Sequence, residues 1–425
     1  MGAGPAGISA ACILAENGVD TLVLERGEFP GAKNISGGVL YGNDLASILP
    51  DFEQRKAPIE RNIVDSRIWY LSDQGGYSLS YKDEVFEDKR KYNVFTVGRA
   101  KFDRWFAKQA EEKGALVVSN TVVEDLHRDE NGKVCGVKTD RPEGELEADV
   151  VLLADGINSP LAAKTGFRTD NEPEQVALGV KEIIELPRDL INERFNVEES
   201  DGVTIEILGS VTAGMNGVGA LYTNKDSLSL VIGANVADFR ESKKKPYELI
   251  EDFKKHPMVA KLIQGGTSWE YMAHWLPEGG FKHIPKLYGD GYLIAGDSGM
   301  LFNALHREGS NMAMISGKRA AETILESRRS GSYREDSLSA YVDKLWDSFV
   351  FKDLKKYKKF PEFMQKHSEI FNVLPELGGY AAREMLSVDS VPKKTKQRAI
   401  WKEIKSRIPR WKLFKLAWDA WRSVK

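Results

Sequence analysis

The first 25 residues constrain this chain more than any other stretch. Gly2, Gly4 and Gly7 are spaced G-x-G-x-x-G in Met1-Gly2-Ala3-Gly4-Pro5-Ala6-Gly7. Ile8, Ala11, Cys12 and Ala15 then fall on one helical face, with Gly18 placed to end the helix. Val19 to Leu24 reads as a buried strand that ends at Glu25, 18 residues past Gly7. This combination suits a dinucleotide site. Gly2 permits a tight turn, Gly4 lets the backbone approach a pyrophosphate, and Gly7 lets helix and strand pack closely. The helix N-terminus offers N–H groups and a positive dipole end to phosphates. An acid at the position of Glu25 can accept from ribose hydroxyls. Such a fingerprint normally follows a strand, and only Met1 stands before it here. The expectation is that a few residues of apolar-apolar-Val type belong upstream.

Charge is distributed unevenly. The net charge of −3 combines a C-terminal stretch, residues 393–425, of twelve Lys/Arg and two acids with a remainder near −13. Such a bias points to an anionic surface or partner, not to general nucleic-acid binding. The two cysteines, Cys12 and Cys135, sit in apolar segments and read as buried thiols of a reducing compartment. Two cysteines cannot hold an iron–sulfur cluster that takes four. His127, His256, His274 and His283 are scattered without metal-ligand spacing, so no metal site is expected. The pattern contains no secretory leader and no apolar run long enough to span a bilayer.

Further along, Gly27, Gly31, Gly37, Gly38 and Gly42 suggest a loop pressed against something flat, with Ser36, Gly37 and Gly38 letting backbone N–H groups approach a ring; an ordinary flexible loop is the plain alternative. Residues 63–81 alternate as sheet. VFTVGRAKFDRWFAKQAEEKG reads as a strand and then a helix, with Arg99 at the junction. Asn131-Gly132 marks a hairpin. ADVVLLADG is an apolar strand ending in Asp155-Gly156, which suits a parallel sheet whose C-terminal edge faces a cofactor. From about 176 the chain reads as an antiparallel meander turning at Asn224-Lys225-Asp226, then as a helix near 246–264. LYGDGYLIAGDSG places Gly296-Asp297 at a strand end, and a helix begins near Gly309. Asp297 is placed for ribityl or ribose hydroxyls, or as a plain helix cap. The fold expected is α/β: a discontinuous Rossmann-like dinucleotide domain (1–56, 93–165, 286–330) and an inserted antiparallel-sheet domain (57–92, 166–285). A helical region (331–425) follows, with a basic amphipathic tail.

In that tail Pro409 separates stretches of about 396–408 and 410–423. Trp411, Phe414, Trp418 and Trp421 recur at helical spacing, with Lys412, Lys415, Arg422 and Lys425 around them. This is the pattern of a helix lying in a membrane interface. Docking on the protein's own body or on a partner subunit is the competing use of such a face.

These motifs coincide in a family. The chain resembles the flavoprotein superfamily of aromatic hydroxylases, geranylgeranyl reductases and electron-transfer-flavoprotein:quinone oxidoreductases, and within it the FixC type, the flavin subunits of FixABCX complexes. GAKNISGGVLYG, VGRAKFDRWFA and NALHREGSNMAMISG carry the resemblance. It implies FAD, with Gly2, Gly4, Pro5, Ala6 and Gly7 at the pyrophosphate and Glu25 and Arg26 at the adenosine end. It also implies Ser36, Gly37 and Gly38 near the isoalloxazine, Arg99 on the cofactor, and Ala154, Asp155 and Gly156 in the DG motif. Gly296 and Asp297 would meet the ribityl chain, with Gly309 and Asn311 beside it. His306 and Arg307 could supply a proton or positive charge near the flavin; a helix-start hydrogen bond is the plain role for His306. The single-chain quinone oxidoreductases carry a cysteine-rich domain that this chain lacks. The resemblance places that 4Fe-4S cluster on a ferredoxin-like partner of the FixX type. The implied function is an electron relay from an electron-transfer flavoprotein (alpha and beta subunits) to a membrane quinone, on the cytoplasmic face of the cell membrane. The rivals are an isoprenoid C=C reductase and, in another class, a flavin-free scaffold.

Overall fold

The computed structural model describes residues 1–33, 38–86 and 93–425. Strand Leu22–Leu24 pairs in parallel with Leu116–Val118, and Val151–Leu153 pairs in parallel with Tyr292–Ile294. Met1 to Ala3 run between these two groups. The Met1 amine donates to the Leu152 carbonyl at 2.9 Å, and Gly2 N–H donates to the Leu24 carbonyl at 2.8 Å. The Met1 carbonyl accepts from Ala154 N–H at 3.0 Å. The first residues therefore occupy the position expected of the strand that leads into the fingerprint. Burial pushes the Met1 amine below its ordinary pKa.

Helix Pro5–Glu16 starts with proline in its first turn, where a missing N–H costs nothing, and ends before Gly18 at φ +67°. It packs against the long helix Ser310–Ser330 through small residues. A Cβ on Gly317 would stand 2.0 Å from the Ala6 carbonyl oxygen, so the two backbones meet only because that side chain is absent. On another side the first helix meets helix Arg99–Glu112, whose Phe102, Phe106 and Ala110 are buried.

The chain divides into two compact units. The first comprises Met1–Glu60, Tyr92–Val176 and Trp275–Lys358; the second comprises Arg61–Lys91, Ala177–His274 and Lys359–Lys425. The helices after residue 330 are thus shared between the units.

The second unit is built on a sheet. Asp201–Gly209, Gly217–Thr223 and Ser227–Asn235 form the antiparallel meander, and Val176–Glu185 pairs antiparallel on its far side. Ile59–Ser72 joins Asp201–Gly209 in parallel, and Gly75–Lys82 folds back on it as a hairpin. Parallel pairing needs a long connection, and the distance between these two strands in sequence provides it. One face of this sheet buries Val180, Ile205, Leu221, Leu230 and Ile232 with Leu249, Ile250 and Phe253. The helix expected over 246–264 is two, Pro246–Lys255 and Pro257–Ile263. Pro257 has no N–H to continue the first, and His256 before it is extended at ψ 130°. The C-terminal tail forms helices Lys393–Arg407 and Arg410–Val424, separated at Pro409.

Of the two thiols, Cys12 is buried and pushed up to about 12, while Cys135 is only partly buried, against the expectation for it. Among the described residues no helix is long and apolar enough to cross a membrane, and no cluster could hold a metal ion.

Candidate cofactor site

Every described member of the expected cofactor set lies in the first unit. Ser36 and Gly37 lie outside the described residues.

Gly2 and Gly7 are fixed by close approach. A Cβ on Gly2, at φ +92°, would stand 2.3 Å from the Ala154 carbonyl oxygen. One on Gly7 would stand 2.0 Å from the Gly2 carbonyl oxygen. Gly4 differs: a Cβ there would meet nothing within 4 Å among the described residues. Gly4 is the N-cap of the first helix, with no side-chain cap and no acid in the first turn. An uncapped helix N-terminus beside open space, with no acid in its first turn, suits a phosphate group.

Glu25 is buried at the end of its strand. One carboxylate oxygen accepts from Ala3 N–H at 2.9 Å and the other from Gly27 N–H at 2.7 Å. It therefore ties the fingerprint turn to the following loop, a role the sequence did not indicate, and each oxygen keeps a lone pair for another donor. Arg26, next to it, is exposed.

The DG and GD turns are joined. Ser298 Oγ, fully buried, accepts from Gly156 N–H at 2.9 Å and donates to Asp155 Oδ1 at 2.9 Å. Ser159 Oγ donates to the same oxygen at 2.9 Å. Asp155 Oδ2 is buried and without a partner among the described residues. Gly156, at φ +79°, has open space where a Cβ would stand. Gly296, at φ +66°, donates to Ser316 Oγ at 3.0 Å and lies against Ala6. Burial raises the Asp297 carboxyl to about 6, while the Arg99 and Arg168 charges pull it back down.

Arg99 opens helix Arg99–Glu112 and is held by a bidentate pair with buried Asp103, both contacts at 3.0 Å. Its side-chain stem lies where a Cβ on Gly38 would stand, 3.2 Å away. Gly38, Arg99 and Asp297 are thus brought to one region.

His306 and Arg307 sit in a short hairpin closed by Asn303 and Glu308, whose backbones exchange hydrogen bonds. Arg307 adopts φ +54° there. The His306 ring is exposed and meets Tyr357 edge-on at 5.1 Å. His306 N–H donates to Asn303 Oδ1 at 3.3 Å within this hairpin, ahead of the helix that begins at Ser310. Glu278 is raised to about 7 by burial, against the pull of Arg307. Gly309 caps helix Ser310–Ser330, and Asn311 is buried at its start.

Ser298, Ser159, Arg168 and Glu278 were not singled out from sequence. Ser298 had a local signal, since it directly follows Gly296-Asp297. Arg168 and Glu278 had none, because only the fold brings them to the site.

The residues present fit a dinucleotide. Open space at Gly4 and Gly156, a free helix N-terminus and an orphaned carboxylate oxygen at Asp155 provide a phosphate cradle and hydroxyl acceptors. The family models give the class, an FAD-dependent oxidoreductase. Residues 1–169 match the family model described as FAD dependent oxidoreductase, and residues 360–425 match the ETF-QO/FixC family C-terminal domain. The chain is 45% identical to Protein FixC of Bradyrhizobium diazoefficiens over 94% of this chain and 92% of that one. It is 46% identical to Protein FixC of Azotobacter vinelandii over 100% and 98%. Among solved structures, a geranylgeranyl bacteriochlorophyll reductase-like protein from Thermoplasma acidophilum superposes with a TM-score of 0.72 at 21% identity, over 96% of this chain and 95% of that one. The chain belongs to the FixC family.

Proposed function

We propose that this FixC-family oxidoreductase relays electrons from an electron-transfer flavoprotein, through a ferredoxin-like iron–sulfur partner, to a membrane quinone. Bound FAD supplies the redox chemistry, taking up electrons singly and delivering them in pairs. The chain's own part is to hold and tune it. Gly2, Gly4, Pro5, Ala6 and Gly7 offer backbone to the pyrophosphate. Glu25 accepts from the adenosine ribose and Asp297 from the ribityl hydroxyls. Arg99 and Gly38, with Ser36 and Gly37, belong to the isoalloxazine end. Arg307 holds positive charge there, and His306 is placed to pass a proton from solvent. Arg26, Ala154, Asp155, Gly156, Gly296, Gly309 and Asn311 complete the cofactor set.

With two cysteines in this sequence, the reading assigns the expected 4Fe-4S cluster to another subunit. The observation that carries the quinone end is the tail. Trp411, Phe414, Trp418 and Trp421 are all exposed on helix Arg410–Val424. Exposure of the whole row favours the membrane interface over docking on the chain's own body. It supports a peripheral position at the membrane, where a lipid-soluble quinone is within reach; the side proposed is the cytoplasmic face.

The test is purification of the native complex, followed by reduction with NADH and with a quinone present. The expected result is co-purifying electron-transfer flavoprotein subunits and quinone reduction by the complex, with slow NADH reduction of this subunit alone. Fast NADH reduction of the isolated subunit would instead favour a reductase acting on its own.

A further inference from the structure

Arg168 is buried, yet among the described residues its guanidinium donates only to main-chain carbonyls and a sulfur. Its Nη2 donates to the Ile157 carbonyl at 2.8 Å, and its Nη1 to the Ser298 carbonyl at 3.2 Å and the Met300 sulfur at 3.9 Å. Its Nε is buried without a partner among the described residues. A buried cation that makes no direct ion pair is costly to keep unless nearby negative charge compensates it. The acids that act on Arg168 are Asp155, Asp170 and Asp297, and two of these belong to the cofactor turns. Its contacts also fall on those turns. Ile157 follows Asp155-Gly156, and Ser298 follows Gly296-Asp297. Arg168 thus doubles the link that Ser298 Oγ already makes between them.

We propose that Arg168 is a positioning residue for the cofactor: bonded to the main chain of both turns, it clamps the DG and GD turns together and so fixes where Asp297 meets the ribityl hydroxyls. The inference rests on the reading of Asp297 given above. Asp297 is worked on by burial, which favours its neutral form, and by two cations from different elements. Arg99 comes from the start of helix Arg99–Glu112, and Arg168 follows helix Pro160–Lys164. Loss of either cation should push the carboxyl higher still. Since the charged form is the better hydrogen-bond acceptor, cofactor affinity should be full above the Asp297 pKa and fall as pH drops through it.

The experiment titrates apo-protein with FAD between about pH 5 and 8, reading bound flavin by fluorescence. The parent should lose affinity as pH falls through about 6. Arg168→Met should raise that midpoint by about one pH unit, which weakens binding about twofold at the raised midpoint and close to tenfold well below the parent's midpoint. Arg168→Lys, which keeps the charge, should restore most of the midpoint, and it reads the same quantity should the Met variant not fold. Ser298→Ala removes the neutral link alone, so it should weaken binding equally at every pH. Asp297→Asn should abolish the pH dependence. Arg168→Met with the parent's midpoint, while Asp297→Asn abolishes the dependence, would overturn the role of Arg168 alone. Asp297→Asn with the parent's affinity and pH profile would overturn the underlying reading of the site.

Discussion

Gly4→Ala and Gly7→Ala should separate cofactor binding from folding. At Gly4 the backbone is at φ −84° and ψ −178°, which alanine adopts freely, and its Cβ would meet nothing within 4 Å among the described residues. Alanine is a poorer N-cap than glycine, but it also narrows the unfolded ensemble, by about 0.4–1 kcal/mol. These terms oppose, so the apo-protein should change by less than about 1 kcal/mol. The new methyl would stand where the pyrophosphate is proposed to lie. Loss of even one charge-assisted hydrogen bond there costs about 1.5–3 kcal/mol, which is tenfold or more in the dissociation constant. At Gly7 the outcome should reverse. Alanine gains about 1 kcal/mol of helix propensity. Its Cβ, however, would stand 2.0 Å from the Gly2 carbonyl oxygen. Gly2 has little room to retreat, because its N–H is bonded to the Leu24 carbonyl at 2.8 Å. Overpacking of this kind costs about 1–3 kcal/mol, and more where backbone is the obstacle.

Thermal unfolding of both apo-proteins and FAD titration of both give the comparison. Gly7→Ala should melt several degrees lower, at roughly 2–4 °C per kcal/mol for a unit of this size. Gly4→Ala should melt near the parent and bind FAD at least about tenfold more weakly. Parent-like FAD affinity in Gly4→Ala would refute the assignment of that space to the pyrophosphate. Parent-like melting of Gly7→Ala would refute the packing argument.

Glu25→Gln should lower both apo-protein stability and FAD affinity, since a carboxamide offers one acceptor where Ala3 and Gly27 N–H require two. Melting with and without FAD reads both losses. Glu278, raised to about 7, is protonated in the fold over a pH range where the unfolded chain has released its proton. Its contribution to stability therefore declines as pH rises from the ordinary glutamate value toward 7, and Glu278→Gln should gain on the parent at pH 8 in urea unfolding while differing little near pH 4. Replacing Trp411, Phe414 and Trp418 together by serine should leave FAD bound and melting nearly unchanged, because all three are exposed, but should weaken binding to anionic liposomes. Intact protein should also bind them less well at high salt, since screening acts on the basic residues.

The parts of the fold legible in the sequence are those where one residue type answers one local need. A glycine fingerprint, an acid at a strand end and proline breaks all act over a few residues, so they can be read without tertiary knowledge. Helix Pro5–Glu16, the DG and GD strand ends and the two tail helices came out this way. The break at Pro257 was equally local but was overridden by an apolar period that runs on through it. The parallel joint between Ile59–Ser72 and Asp201–Gly209 had no local signal at all. Pairing across such a distance is decided by which buried faces the assembled sheet must share, and neither strand carries that information alone.

The site shows the same division in its chemistry. Glu25 was legible as an acceptor, but its carboxylate also holds Ala3 and Gly27, so one side chain shapes the turn it serves. Arg99 was legible at its strand–helix junction, yet what aims it is Asp103, one helical turn further on. Arg168 and Ser298 lie 130 residues apart and act as one link, because the two strands that precede the DG and GD turns are parallel neighbours. Parallel pairing places both turns at the same sheet edge, where buried Ser298 and Arg168 bond main-chain groups of the two turns. The motifs that bind are written along the chain. The residues that set how far apart those motifs stand, and how charged they are, appear only once the strands are paired.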